Sequence, residues 1–149
     1  MCLRIRPIGQ EDWPALRSIF LASCRAMLPR ATAGNFQLTD LDQQTQGETI
    51  LVAEAASSSG VVKTVGFISI QEADHFIHHL MVDAKMHGKG VGRQLLHHLP
   101  DWGQARYQLK CLFSNTQATA FYIACGFLLV DTGIDAQGKF AVFQFAARA

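Results

Sequence analysis

The sequence predicts one mixed α/β domain, and three observations point to it. β-rich and helical segments alternate through the second half of the chain, short polar turns join two pairs of strands as hairpins, and no repeat or linker divides the 149 residues. Leu3–Arg4–Ile5–Arg6 alternates apolar and polar residues before Pro7, as a strand with one buried face does. Asp12 then stands before Trp13–Pro14 in the position of an N-cap, and Leu16, Ile19, Phe20, Ser23 and Met27 recur at helical spacing until Pro29 ends the helix. From Pro29 to Gly47 the chain is polar and loop-like, with Thr39–Asp40–Leu41–Asp42 as the start of a short second helix.

Thr49–Ala53 and Thr64–Ile70 flank Ser57–Ser58–Ser59–Gly60 and read as an antiparallel hairpin, and Phe76–Val82 is the next strand. A glycine cluster at Gly88–Gly92 leads into a helix with Val91, Leu95 and Leu99 on one face, stopped by Pro100. Leu109–Phe113 is a strand. Asn115 opens a helix that runs to about Ala124, where Gly126 takes the left-handed position past its end. Phe127–Thr132 and Lys139–Phe145 form the second hairpin, around Asp135–Gly138. Helices after the fourth and fifth strands imply crossovers, hence parallel neighbours there and antiparallel hairpins elsewhere.

Composition narrows the function. Thirteen Lys+Arg against twelve Asp+Glu give a net charge of +1, without the basic excess of a nucleic-acid binder. The longest apolar runs, such as Phe127–Val130, fall far short of the roughly 20 residues that cross a bilayer. The first 20 residues carry Arg4, Arg6, Glu11 and Asp12 between short apolar pieces, unlike a secretory signal, so a cytoplasmic location is expected. Cys2, Cys24, Cys111 and Cys125 show no metal spacing and read as free thiols.

The chemistry concentrates in residues 80–96, a strand, a glycine-rich turn and a helix. Glycines permit positive φ and close backbone approach, and a helix N-terminus presents free N–H groups, so the turn reads as a phosphate cradle with Lys89 and Arg93 adding positive charge. It is not a P-loop, because no Ser or Thr follows a Gly-Lys pair. Nor is it G-x-G-x-x-G, since the sixth position is Arg93 counted from Gly88 and Leu95 counted from Gly90.

Here the chain resembles the GNAT superfamily, the Gcn5-related N-acetyltransferases. One motif is the [QR]-x-x-G-x-[GA] turn, standing as His87–Gly88–Lys89–Gly90–Val91–Gly92 after Leu80–Met81–Val82, with His87 where the family usually has Gln or Arg. The other is N-x-x-A-x-x-F-Y-x-x-x-G-F, standing as Asn115, Ala118, Phe121–Tyr122 and Gly126–Phe127. The resemblance implies a GNAT fold over residues 1–149. That fold is a mixed, mostly antiparallel twisted sheet of about seven strands, flanked by about four helices, with a splayed parallel pair at the fourth and fifth strands.

It also implies acetyl-CoA as co-substrate and no metal. The pantetheine would lie beside Leu80, Met81 and Val82, and the pyrophosphate on the amides of His87, Gly88, Lys89, Gly90, Val91, Gly92 and Arg93, with Asn115 touching the arm. Tyr122 matches the tyrosine that protonates the departing thiolate. The acceptor is a primary amine of a small molecule or peptide attacking the thioester directly. The carboxylate base of some relatives would fall at Phe76 and is absent, whereas arylalkylamine-acetylating members place a histidine where His78 stands. His78, His79 and water remain open as the proton acceptor.

Strand alternation puts Phe76, His78, Leu80 and Val82 on one face and Ile77, His79 and Met81 on the other; His75, His78 and His79 are not expected to hold a metal, since residues 75 and 78 point to opposite faces and no cysteine or acidic cluster joins them. Only Asp40, Asp42 and Glu48 supply acid near the first loop. The resemblance implies an acceptor pocket shaped by about Met27–Asp40, which includes Arg30 and Phe36, and by about Gly133–Lys139. A homodimer through the C-terminal strands is common in the family. The competing reading is a noncatalytic acyl-CoA-binding sensor with the same fold.

Overall fold

The computed structural model describes residues 2–27, 37 and 39–145. The expected end of the first helix at Pro29, and Arg30 and Phe36 of the acceptor loop, lie outside the described residues. The strands are β1 (Cys2–Pro7), β2 (Thr49–Ala56), β3 (Val62–Gln71), β4 (Phe76–Val82), β5 (Gln108–Leu112), β6 (Phe127–Asp135) and β7 (Gly138–Phe145). The helices are α1 (Trp13–Met27), α2 (Asp40–Gln44), α3 (Val91–His97) and α4 (Thr116–Ala124). All seven strands form one sheet in the order β1-β2-β3-β4-β5-β7-β6. Among the described residues its only parallel pair is β4/β5.

One topological expectation needs correction. The crossover through α4 does make β5 and β6 run in the same direction, but they are not neighbours, because β7 is inserted between them and pairs antiparallel with both. A strand that can pair on both its edges satisfies two rows of backbone groups at once, and β7 does so through Phe140–Gln144 on β5 and Gly138–Phe145 on β6.

The sheet has a core on each face. Leu16, Ile19, Phe20 and Cys24 of α1 recur at helical spacing and pack with Leu41, Ile50, Val52 and Phe67. Cys24, not Ser23, completes this buried stripe, and burial pushes its thiol up to about 11. On the other face Val91, Leu95 and Leu96 of α3 pack with Ile68, Ile70, Ile77 and Leu109. Each such fully buried aliphatic or aromatic side chain stabilises the fold by about 1.5–3 kcal/mol. Past α3, Tyr107 is buried and its hydroxyl donates to the Pro100 carbonyl at 2.6 Å, while Trp102 stacks on Phe145 with centroids 4.2 Å apart.

Two irregularities break strict alternation. In β3/β4, Ser69 faces His79 while Ile70 faces Ile77, so His78 is an extra residue, a bulge in β4. Ile77 therefore joins Leu80 and Val82 on the α3 side, and His79 turns to α1, 5.7 Å from the Phe20 ring. The expected grouping of Ile77 with His79 and Met81 is thus corrected. A second shift lies at Ala53/Glu54 of β2.

Asp12 was expected to cap α1. Instead, its carboxylate closes the 3-10 turn Gln10–Asp12, accepting from the Gly9 N–H at 2.7 Å and from both Arg6 Nη atoms at 2.7 and 2.9 Å. The Thr64 hydroxyl donates to it at 3.1 Å, so one 3% exposed acid ties β1, α1 and β3 together. Arg6, then the Gly9 and Thr64 donors, hold this carboxyl at about 2 against the opposing effect of burial. Because the folded value lies below the unfolded one, the stabilisation, about 2 kcal/mol, is full above about pH 4 and is lost as the pH falls towards 2. Asp12→Asn is expected to lower unfolding free energy by about 3 kcal/mol at neutral pH, by stranding Arg6. It should also flatten the acid limb of stability, read by denaturant unfolding at several pH values. An unchanged acid limb would show that another carboxylate controls it.

Candidate active site

β4 and β5 pair only at Phe76↔Gln108 and Ile77↔Leu109, then diverge. His78 is the first residue past the last pair. The divergence opens a cleft of about 700 Å³, within the range of small-molecule sites. Leu80, Met81 and Val82 line it from β4, and Ser23 and Ala26 from α1. His87, Gly88, Gly90, Val91, Gly92 and Arg93 line it from the turn and α3, and Asn115, Phe121 and Tyr122 from α4 and its cap. The structure therefore gathers around one cleft every residue assigned to the cofactor except Lys89, which is exposed between the glycines and is not part of the wall.

The turn's geometry follows from its glycines. Gly90 caps α3 at φ 83°, a left-handed conformation that costs a residue with a Cβ about 1–2 kcal/mol. The Gln94 N–H bonds to the Gly90 carbonyl at 3.0 Å and makes the first bond of the helix. The amides of Val91, Gly92 and Arg93 are left without helical acceptors at the cleft wall. Gly92 is needed for a different reason: a Cβ there would lie 3.0 Å from Cζ of Phe121, so its absence lets α3 and α4 close on each other. His87 is not simply a solvent-facing side chain. Its Nε2–H donates to the Val82 carbonyl at 3.0 Å and folds the turn back onto the end of β4. Asp83, which the sequence analysis did not single out, supports the same turn by accepting from the Lys85 N–H at 3.0 Å.

Asn115 is the N-cap of α4, its Oδ1 accepting from the Ala118 N–H at 3.2 Å. Tyr122 lies edge-on to Phe121 and Phe127, and burial first, then Cys111 and Cys125, raises its phenol well above the ordinary value. It stays protonated at any physiological pH. Its hydroxyl has no hydrogen-bond partner among the described residues, so its proton is available to a group in the cleft. Cys125 and Cys111 are thiols raised by burial, and all four cysteines are free.

The two strand histidines have different environments. His79 is buried; its Nε2–H donates to the Gln44 Oε1 at 2.9 Å and its Nδ1 accepts from the Ser69 hydroxyl at 2.7 Å. Burial, reinforced by His78, pushes it down to about 3, so it is neutral with both nitrogens occupied. His78 is 34% exposed and stacks on His79 with ring centroids 4.0 Å apart. Its Nδ1–H donates to Oε2 of Glu48 at 2.8 Å.

A single acid does reach these histidines. Register carries Glu48 across two strands, since Thr49 faces Ile70 and Ile70 faces Ile77. Donor atoms of Glu48, His78 and His79 lie within 4.8 Å of one another. The set is a poor fit for a metal ion, because three of its four imidazole nitrogens already make hydrogen bonds.

Comparison with known proteins agrees with this geometry. Residues 46–128 match the family profile of the acetyltransferase (GNAT) domain. No curated protein matches the chain. Among solved structures, apo YjaB of Escherichia coli superposes with a TM-score of 0.76 at 22% identity, covering 99% of this chain and 100% of that one. The putative acetyltransferase yncA of Salmonella typhimurium, solved with acetyl-CoA, gives 0.68 at 19% identity over 100% and 96%. The ribosomal-protein-S18-alanine N-acetyltransferase of Escherichia coli gives 0.70 at 17% identity over 99% and 96%. With a divergent β4/β5 pair, a glycine turn at its mouth and a profile match over more than half its length, this chain belongs to the GNAT family of acetyltransferases. It is an N-acetyltransferase. Among the described residues, no helix is long and apolar enough to cross a membrane.

Gly90→Ala is expected to cost about 1–2 kcal/mol, because alanine must be held at φ 83°. Its urea midpoint should fall accordingly, and an unchanged midpoint would mean that the turn relaxes freely.

Proposed function

We propose that this enzyme transfers the acetyl group of acetyl-CoA to a primary amine of a small molecule or peptide by direct attack on the thioester. The observation that carries the reading is Tyr122, proton-bearing and without a hydrogen-bond partner for its hydroxyl among the described residues, in the wall of the cleft that the β4/β5 divergence opens. Acetyl-CoA supplies the activated acyl carbon.

The chain's own groups then have separable tasks. Past Ile77 the facing edges of β4 and β5 are no longer paired, so backbone groups of Leu80–Val82 can pair with an amide-containing arm as a sheet pairs with an added strand. A β4 N–H directed at the acyl oxygen would stabilise the developing oxyanion. The free amides at residues 88–93 and the Arg93 guanidinium suit a pyrophosphate, with Lys89 adding charge from outside the wall and His87 holding the turn. Asn115 fixes the start of α4 beside the arm.

As the amine attacks, the C–N bond forms, the C–S bond breaks, and Tyr122 gives its proton to the leaving sulfur. His78 takes the proton that the amine nitrogen sheds. It is favoured over His79 because His79 has no nitrogen to spare.

The same reading includes a homodimer through the edge strand β6, where Leu128 is 60% exposed beside Leu129 and Val130. It also includes a cytoplasmic setting, with which four free thiols agree.

Tyr122→Phe should lower kcat by about 100-fold and leave the Kd for acetyl-CoA within about twofold. The assay is thiol release over a panel of arylalkylamines, amino acids, polyamines and peptide N-termini, corrected for hydrolysis without acceptor. Undiminished turnover would remove the acid role. Acetyl-CoA binding without turnover on any panel member would favour the sensor reading.

A further inference from the structure

The Glu48 carboxylate is in an unusual state. Its side chain is 4% exposed; one oxygen accepts from His78, and the other, Oε1, is buried with no hydrogen-bond partner among the described residues. A buried carboxylate oxygen without a donor costs on the order of 1–3 kcal/mol, so a residue kept there for packing alone would be better apolar. What offsets that cost is a positive charge arriving on the group it already touches. His78 is that group, placed at the apex of the β4/β5 divergence by the bulge that also swings it onto the His79 side.

We propose that Glu48 is a positioning residue for proton removal, holding His78 as the Nδ1–H tautomer so that the Nε2 lone pair takes the proton from the attacking amine. This deepens the proposed function and rests on its assignment of His78 as the proton acceptor. The balance is simple. The amine nitrogen gains a bond to the acetyl carbon and loses one proton to Nε2; the resulting imidazolium keeps its Nδ1–H bond to Glu48 Oε2 and later returns the proton to solvent.

A neutral imidazole donating to a carboxylate becomes a charge-assisted pair when protonated, which strengthens the bond and gives the buried anion a full counter-charge. The described groups packed on this pair are uncharged: His79 lies against His78, Gln44 of α2 and Phe20 of α1 lie against His79, and the Gln71 amide of β3 donates to the same Glu48 oxygen at 3.4 Å. Glu72 accepts from the Thr49 hydroxyl. Glu48 thus supplies the anionic partner of His78 among the described residues.

The test combines the side-chain 15N NMR spectrum of His78 with kinetics. In the wild-type protein, neutral His78 should show a protonated Nδ1 and an unprotonated Nε2. Glu48→Leu, which keeps the volume and removes the acceptor, should abolish that preference. Glu48→Gln keeps an acceptor oxygen and removes the charge, so it should retain the tautomer.

With the best amine of the panel, Glu48→Leu should lower kcat about tenfold or more, leave the KM for acetyl-CoA unchanged, and add nothing in a His78→Ala background. Glu48→Gln, which keeps the acceptor oxygen and the tautomer, should lose less of kcat than Glu48→Leu. An Nε2–H tautomer in the wild type, or equal losses from Glu48→Leu with and without His78, would overturn the role of Glu48 while leaving His78 as acceptor. Wild-type turnover in His78→Ala would instead remove the acceptor assignment, and this proposal with it.

Discussion

The site depends on the loss of backbone pairing between two parallel strands. β4 and β5 share two residue pairs and then part, yet both remain fully integrated on their other edges, β4 with β3 and β5 with β7. Backbone donors and acceptors are obligatory hydrogen-bonding groups. A gap between two otherwise satisfied strands therefore leaves backbone groups that can pair with a peptide-like arm. The cores on both faces hold the gap open: α3 packs beneath β2, β3 and β4 on one side and α1 covers the other.

The β4 bulge sorts the side chains beside that gap. Without an extra residue at position 78, the strand would place Ile77 and His79 on one face. One of them would then be misplaced, a hydrophobe taken from the α3 core or a histidine pushed into it. The bulge lets Ile77 remain apolar core while His79 turns to Ser69, Gln44 and Phe20. His78 is left on top of it, outside both cores and against Glu48. Burial keeps His79 neutral, so the stacked pair does not carry two positive charges.

The local parts of this arrangement were legible in the sequence. Gly88 and Gly90 at positive φ, the Asn115 cap and Gly126 past the end of α4 are short-range conformational requirements, each written in a few adjacent residues. The non-local parts were not. Glu48 and His78 are 30 residues apart and meet only through the registers of two hairpins, one of them shifted by the bulge. Period-two alternation has no way to announce an inserted residue. Likewise, Asp12 looked like a helix cap because of its immediate neighbours, while Arg6 and Thr64 decided its role from other strands. The placement of β7 between β5 and β6 is of the same kind, a pairing choice that local propensity leaves open.

The central claim is that the divergence between β4 and β5 receives the acyl donor. Amide hydrogen exchange with and without saturating acetyl-CoA tests it directly in the intact protein. The account predicts slower exchange concentrated at residues 80–82 and 88–93, with the far hairpin β1/β2 unchanged. Protection spread elsewhere, with these two segments exchanging as in the free protein, would contradict it.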